Sequence, residues 1–499
     1  MISTVVPEDI AAPLVLSVDV GSSGVRAALF DVQGRAVDGV AARETYAFQT
    51  TPEGASEIDA ERLATSVWRC LDRVVARAAA RTLRIDGVAF DTFVSNVLGV
   101  DAEGRPLTPV TTYADTRAAP DAEALRAALA EEKAHHRTGC RLHAGYLPAR
   151  LQWYARTQPE VFSRVARWLS IGEYLEAQLF GETAVTYAVA SWTGLLHRQA
   201  LSWDAAMLDA VAVEETQLSP LTDVDRPRRG LRAPFAARWP ALQKAPWFPA
   251  VSDGVAANVG SGAVTPRRVA LTVGTTSALR LVVSGAPVEL PAGLWCYRVD
   301  RRRSLLGGAL SEGGNVYGWM QETLRLDDPA AVEAALARMA PDAHGLTVLP
   351  FWAGERSPGW AGDARAVVQG LSLATAPIDV LRAGLEAVAY RLGLVFEQLR
   401  AETAPEVEVV VSGNALPASP VWLQMVADVL GQPLVVSQVA ETTARGTALL
   451  ALEALGAVTD LAAVPTFDSE RVHPDAGRHE IYRRAQARQQ RLYRRLVRR

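Results

Sequence analysis

The sequence predicts an α/β protein built from two related halves. The first observation is a duplication. Residues 16–31 (LSVDVGSSGVRAALFD) and 270–283 (ALTVGTTSALRLVV) each run apolar strand, glycine with two hydroxyl residues, apolar strand. Each reads as a β-hairpin whose tight turn is Gly21-Ser22-Ser23 or Gly274-Thr275-Thr276. Such turns leave backbone N–H groups free beside side-chain hydroxyls, a set that suits a phosphate chain. One Gly-Ser break in an apolar run would be an ordinary turn. Two copies, about 250 residues apart, point to two halves facing one polyphosphate. The second observation is that strand-like and helix-like apolar patterns alternate in both halves. The third is size: 499 residues suffice for two domains or more, at roughly 100–200 residues per domain.

In the first half, strand-like runs fall at Leu14–Val18, Val25–Phe30 and Gly87–Phe90. Between them, residues 59–80 carry Leu63, Val67, Leu71 and Val74 at helical spacing. From Pro120 to Phe180 the pattern is largely helical, with apolar Leu125, Leu129, Leu151, Trp153, Val161, Trp168 and Leu175. The Pro- and Arg-rich stretch from Leu218 to Pro249 lacks periodicity and reads as an irregular connector. The second half opens near Val251, and its phosphate hairpin follows. Strands at Leu294–Val299 and Leu305–Leu310 flank a DRRRS turn, with a helix at Val316–Leu324. Helices at Ile378–Leu399 and Val421–Leu430 flank a strand at Val407–Val411, and a further helix runs Ala444–Leu455. The expected organisation is residues 1–250, 251–465 and a basic helical tail, 466–499. From His479 to Arg499 the tail reads as a terminal helix that docks Ile481, Leu492, Tyr493 and Leu496 and solvates its arginines, Arg498 and Arg499 included.

Composition removes several classes. A hydrophobic fraction of 49% can fill sizeable cores, so disorder is not expected. A formal charge of −4 argues against a general nucleic-acid binder. Cys70, Cys140 and Cys296 lie far apart without a CxxC, which gives neither a zinc pattern nor a disulfide framework and fits a reducing compartment. The opening residues carry Glu8 and Asp9 but no secretory pattern, and no apolar run could span a bilayer. The expected location is the cytoplasm.

Four places could carry chemistry. Asp19 ends a buried-looking strand beside a phosphate turn, where a carboxylate would repel phosphate unless a cation such as magnesium lay between. The alternative is an Asp that caps the turn backbone. Asp253 lies in a glycine-rich segment with Gly254, Gly260 and Gly262, which let backbone approach closely. It could accept the hydroxyl proton in a phosphoryl transfer, or it could belong to an ordinary Asp-Gly turn. Tyr113, Asp115 and Arg117 form a compact set suited to a polyhydroxylated ligand, although Asp115 could also cap a helix near Pro120. The turn Ser412–Asn414 after a strand could admit adenine or ribose. No GxxxxGK[ST], GxSxG or HExxH pattern occurs.

Together these motifs resemble the FGGY family of carbohydrate kinases, from Leu14 to about Leu455. DVGSSGVR (19–26) is similar to the first phosphate motif, with Ser22 where Thr is usual, and YADTR (113–117) to the W-x-D-x-R sugar motif, with Tyr for Trp. SDGVAANVGSG (252–262) resembles the segment of the catalytic Asp, LTVGTTSALR (271–280) the second phosphate motif, and residues 412–434 the adenosine motif. FWAGERSP (351–358) looks like a family loop. The resemblance implies two actin-like, ribonuclease-H-like domains with a nucleotide and sugar cleft between them. It implies ATP and Mg2+, with Asp253 as catalytic base and Asp19 on the metal side. Gly21, Ser22, Ser23, Arg26, Gly274, Thr275 and Thr276 would serve the phosphates, and Gly413 and Asn414, with Gly313 and Gly314, the adenosine. Ser95, Asn96, Tyr113, Asp115, Arg117 and Asp253 would meet the sugar. A homodimer is a possible assembly; neither nucleic acid nor membrane is expected as a partner. The motif set is most similar to the gluconate kinase branch, with xylulose kinases next. Against the latter, Val94-Ser95 stands where those enzymes carry Met-His. Arg117 and Arg150 are the nearest candidates by motif position for an aldonate carboxylate, and either could instead form a structural ion pair. An actin-like ATPase without a sugar substrate is the remote alternative.

Overall fold

The computed structural model describes residues 4–497, so Arg498 and Arg499 of the tail lie outside the described residues. Two mixed sheets carry the molecule. In the first, strands run in the order Thr4–Val5, Ala36–Thr45, Gly24–Phe30, Val15–Gly21, Gly87–Thr92, Trp247–Ser252. In the second the order is Trp295–Arg298, Arg303–Leu310, Ser277–Ser284, Arg268–Val273, Glu408–Ser412, Leu434–Ser437, Asp468–Val472. Each contains the same core: three strands that meander antiparallel, then two added in parallel. The likeness of the two hairpins thus extends to the whole sheet.

The central strand of each sheet is apolar on both faces, as a strand covered by helices must be. Val15, Leu16, Val18 and Val20 are inaccessible in the first, and Val269, Leu271 and Val273 in the second. The helix Ala60–Ala80 begins at Asp59, whose carboxylate accepts the Arg62 N–H at 2.7 Å. It buries Leu63, Val67, Leu71 and Val74 against the antiparallel strands. Residues 119–180 are mostly helical, but Trp168 sits on a short strand, Arg167–Leu169, paired with Leu98–Val100.

The strand Trp247–Ser252 is the main departure from the expected organisation. It pairs in parallel with Gly87–Thr92, so the first sheet continues across the expected division at 250. The connector reading failed there because a buried edge strand with two aromatics and a proline shows no alternation. We place the division in the 261–267 segment, before the first strand of the second sheet.

Directly after that strand, the helix Asp253–Gly260 crosses the helix Thr442–Ala454. A Cβ on Gly260 would overlap the Thr442 carbonyl, and one on Gly446 the Ala256 carbonyl. The helices therefore meet backbone to backbone. The helix Thr442–Ala454 also lies on the first sheet, along Val15–Gly21 and Gly87–Thr92, and so joins the halves.

The tail forms the helix Ala476–Leu496. Tyr482, Gln486, Gln489, Leu492 and Tyr493 face inward, whereas Ile481 and Leu496, expected to dock, are exposed. Its inner face is polar as well as apolar, which the apolar pattern could not show. Tyr482 donates to the buried Glu386 at 3.3 Å, Arg488 pairs with Asp342, and Tyr493 donates to Glu355 at 2.6 Å. Among the described residues, no helix is long and apolar enough to cross a membrane.

The crossing makes a prediction of inverted sign. Alanine ordinarily stabilises a helix interior by about 1 kcal/mol over glycine. Gly446→Ala should instead lower stability by roughly 1–3 kcal/mol or more, through overlap with the Ala256 carbonyl. Thermal or denaturant unfolding reads this directly. An unchanged or raised midpoint would mean that the helices can part here.

Candidate active site

Three neighbouring strands of the first sheet end in carboxylates. Asp19 and Asp91 are paired residues on parallel strands, and Asp253 follows Ser252, which is paired with Thr92 on the next. Asp19 is buried, and its Oδ2 accepts from Arg26 Nη1 at 3.0 Å. Arg26 is the cross-strand partner of Asp19 in the hairpin, which explains their meeting. Asp91 is fully buried; its Oδ2 accepts from Thr447 Oγ1 at 2.6 Å, across the halves. Its Oδ1 has no N–H or hydroxyl donor, and the carboxyl is a hydrogen-bond neighbour of Asp19. Burial, then the Asp19 charge, holds Asp91 well above the usual carboxylate range.

Asp253 heads its helix, with Ser252 capping the Val255 N–H. Burial, then the charge of Asp19, raises its carboxyl to about 7; Arg280 and the Gly254 N–H oppose the shift. Arg280 comes from the second strand of the other hairpin, and its Nη1 donates to Thr272 Oγ1 at 3.0 Å. The start of this helix, Asp253–Gly254, therefore lies where the two halves meet.

The first phosphate turn is closed by Gly21 opposite Gly24, leaving Ser22 and Ser23 exposed. Tyr46 pins it by donating to the Gly21 carbonyl at 2.5 Å. In the second turn, the Gly274 N–H reaches the Thr276 carbonyl at 2.9 Å, and Thr275 and Thr276 are exposed. Gly314 N donates to the Gly274 carbonyl at 2.7 Å, and Asn315 N to the Thr275 carbonyl at 3.2 Å. Gly413, at φ +84°, lies against Val273 so closely that a Cβ would strike its carbonyl. Asn414 is exposed beside it. The structure thus gathers Gly274, Thr275, Thr276, Gly313, Gly314, Gly413 and Asn414 around one turn. A Cβ on Gly274 itself would meet nothing within 4 Å, so space lies open there.

The expected sugar residues divide. Tyr113 is exposed, contacts Ser22 and feels the Asp253 charge, so it faces the reacting region. Asp115 is buried and fully engaged: it accepts from Ser56 N and, bidentate, from Arg117. Arg117 also pairs with Glu57 and stacks on Trp153 at 4.4 Å. Neither the helix-cap reading of Asp115 nor a free sugar-binding pair describes this; the two residues lock the loop that presents Tyr113. Ser95 donates to the Trp192 carbonyl at 2.7 Å, while Asn96 accepts from Ile171 N and donates to the Phe93 carbonyl. Both are buried in the scaffold in place of the expected sugar contact. Arg150 is likewise buried among the carbonyls of Ser95, Thr111, Thr112 and Gly145, which removes it as a carboxylate anchor.

Sequence reasoning missed Asp91, Tyr46, Arg280, Glu312 and Arg356. Glu312 is buried beside Gly313, its Oε1 lacks a donor, and burial pushes its carboxyl up to about 8. Arg356, in the FWAGERSP segment, has no side-chain partner among the described residues. Its charge reaches Tyr113 and His143 in one half and Arg280 and Glu312 in the other. An acidic residue interrupting the apolar run GVAFDT was the one available signal for Asp91.

Comparison with known proteins fits this geometry. Residues 14–260 match the model for the FGGY family of carbohydrate kinases, N-terminal domain, and 269–455 the model for its C-terminal domain. A gluconokinase of Bacillus subtilis (strain 168) is 28% identical over 462 residues, covering 90% of this chain and 89% of that one. A xylulose kinase of Escherichia coli (strain K12) is 27% identical over 488 residues, covering 97% and 99%. Among solved structures, a gluconate kinase from Lactobacillus acidophilus superposes with a TM-score of 0.91 at 23% identity, covering 97% of this chain and 98% of that one. With both halves matched in order by one family, the chain belongs to the FGGY family of carbohydrate kinases.

Proposed function

We propose that this kinase transfers the γ-phosphoryl group of ATP to a primary hydroxyl of a sugar acid, D-gluconate, giving 6-phosphogluconate. The observation that carries the reading is Asp253, a carboxyl held near 7 where the two halves meet, within electrostatic reach of Tyr113 and Arg280. A group near neutral is well matched to accepting a hydroxyl proton. Asp253 takes that proton as the alcohol oxygen bonds to phosphorus and the bond to the ADP oxygen breaks. N–H groups of the Gly21–Ser23 turn and of Thr275 and Thr276 would meet the phosphate oxygens, a preorganised stabilisation that needs no rearrangement during transfer.

Asp19 fits a divalent cation, because the Asp91 oxygen without a donor beside it leaves a carboxylate pair short of positive charge. Mg2+ held there would neutralise the polyphosphate. Gluconate is supported by the gluconokinases among the relatives, and by Arg356, a guanidinium near Tyr113 that has no side-chain partner among the described residues. An arginine beside a carboxylate makes the stronger, charge-assisted kind of hydrogen bond. The second reading, a xylulose kinase, draws on a relative that covers nearly the whole chain.

Four outcomes are expected. Asp253→Asn keeps the shape but cannot take the proton, so kcat should fall by ~10²–10⁴ with ATP binding retained; near-normal turnover would remove Asp253 from the reaction. For the wild type, the base works only when deprotonated. The kcat/KM should therefore fall as pH drops through about 7 and level off above it, and a profile flat from pH 6 to 8 would contradict the role. Gly274→Val would fill the open space at the second turn and should weaken ATP binding while sugar binding, measured calorimetrically without nucleotide, holds. The substrate itself is tested by ADP release over gluconate, xylulose, ribulose and glycerol. Gluconate should lead in kcat/KM by about tenfold, the effect of one charge-assisted contact, and a faster ketose or polyol would overturn gluconate.

A further inference from the structure

We propose that Asp91 is a second carboxylate ligand for the divalent cation at Asp19, so that this chain holds the ion between two aspartates. The inference rests on reading Asp19 as the cation residue. It begins with register. Asp19 and Asp91 are direct neighbours on parallel strands, so their side chains leave the same face of the sheet. The two carboxyls are hydrogen-bond neighbours with no N–H or hydroxyl donor between them: Arg26 reaches Asp19 on Oδ2, Thr447 reaches Asp91 on Oδ2, and Asp91 Oδ1 has none.

A buried carboxylate oxygen without a partner is expensive, and a second carboxylate opposite makes it more so. Only a proton or a cation can lie between them. The position favours a cation. Asp19 Oδ1 lies 3.3 Å from where a Gly21 Cβ would stand, so this carboxylate edge borders the first phosphate turn. A cation there touches both aspartates and the phosphate side at once. Hard divalent ions take several oxygen ligands, and one carboxylate already paired with an arginine offers few. Thr447 fixes the Asp91 carboxylate from the helix that joins the halves, so the side chain is anchored by a residue of the second half.

The rival account is that Asp91 keeps a proton, donates it to Asp19 and serves only the scaffold. Mn2+ alone, titrated into the full chain and followed by the EPR signal of the free ion, separates the two. Wild type should bind one ion. Asp91→Asn, nearly isosteric, should weaken Mn2+ binding by roughly tenfold or more, as loss of a ligand generally does, and Asp19→Asn should do the same. If Asp19→Asn loses the ion and Asp91→Asn binds it like wild type, the two-aspartate site is wrong and the Asp19 assignment stands. If wild type binds no better than Asp19→Asn, both fall. Circular dichroism melting checks that each variant is folded. Should Asp91→Asn unfold, Thr447→Val takes its place: it frees the Asp91 carboxylate from its anchor and must weaken Mn2+ binding, and unchanged affinity there overturns the proposal.

Discussion

The crossing of Asp253–Gly260 over Thr442–Ala454 is the contact on which the rest depends. Helices with side chains between them pack about 8–10 Å apart. Here Gly260 and Gly446 remove the side chains, and each glycine rests on a carbonyl of the other helix. One helix continues from the last strand of the first sheet, and the other lies along that sheet while belonging to the second half. Their close approach brings Thr447 within reach of Asp91 and sets the start of the first helix, Asp253, beside Arg280 of the second hairpin.

The electrostatics follow from this proximity. Asp19, Asp91 and Asp253 end adjacent strands, and the nearby cations whose charge reaches them are Arg26 and Arg280. Burial raises all three carboxyls, the charge of Asp19 raises Asp91 and Asp253 further, and each is relieved differently. Asp19 has a guanidinium, Asp91 a hydroxyl from the opposite half, and Asp253 the charge of Arg280 and one backbone N–H. That gradient suits a division of labour between holding a cation and moving a proton. Arrays of buried, shifted acids at the edge of two domains are where phosphoryl chemistry would be sought on physical grounds alone.

Much of this was legible in the sequence, for identifiable reasons. The hairpins announced themselves because their strands are buried on both faces and broken by Gly-Ser-Ser or Gly-Thr-Thr. The helix at 60–80 was legible because one face alone is apolar. What stayed hidden depended on partners distant in the chain. Ser95, Asn96 and Arg150 read as cleft residues, yet their bonds run to Trp192, Ile171 and the carbonyl of Ser95, set by how loops stack on one another. Asp91 stayed hidden for the same reason, since its donor, Thr447, lies 356 residues away. The tail showed its arginines plainly, but not the polar inner face by which Tyr482 and Tyr493 reach Glu386 and Glu355.

The central functional claim is that a phosphoester forms on the terminal hydroxyl of a sugar acid, with Asp253 receiving the proton. The most direct measurement is the product itself, made from gluconate and ATP and read by phosphorus and carbon NMR. The account predicts one new phosphomonoester, its phosphorus coupled to the C6 methylene, appearing in step with ADP. Phosphate attached at another carbon, or ADP formed with free phosphate and no phosphoester, would contradict it.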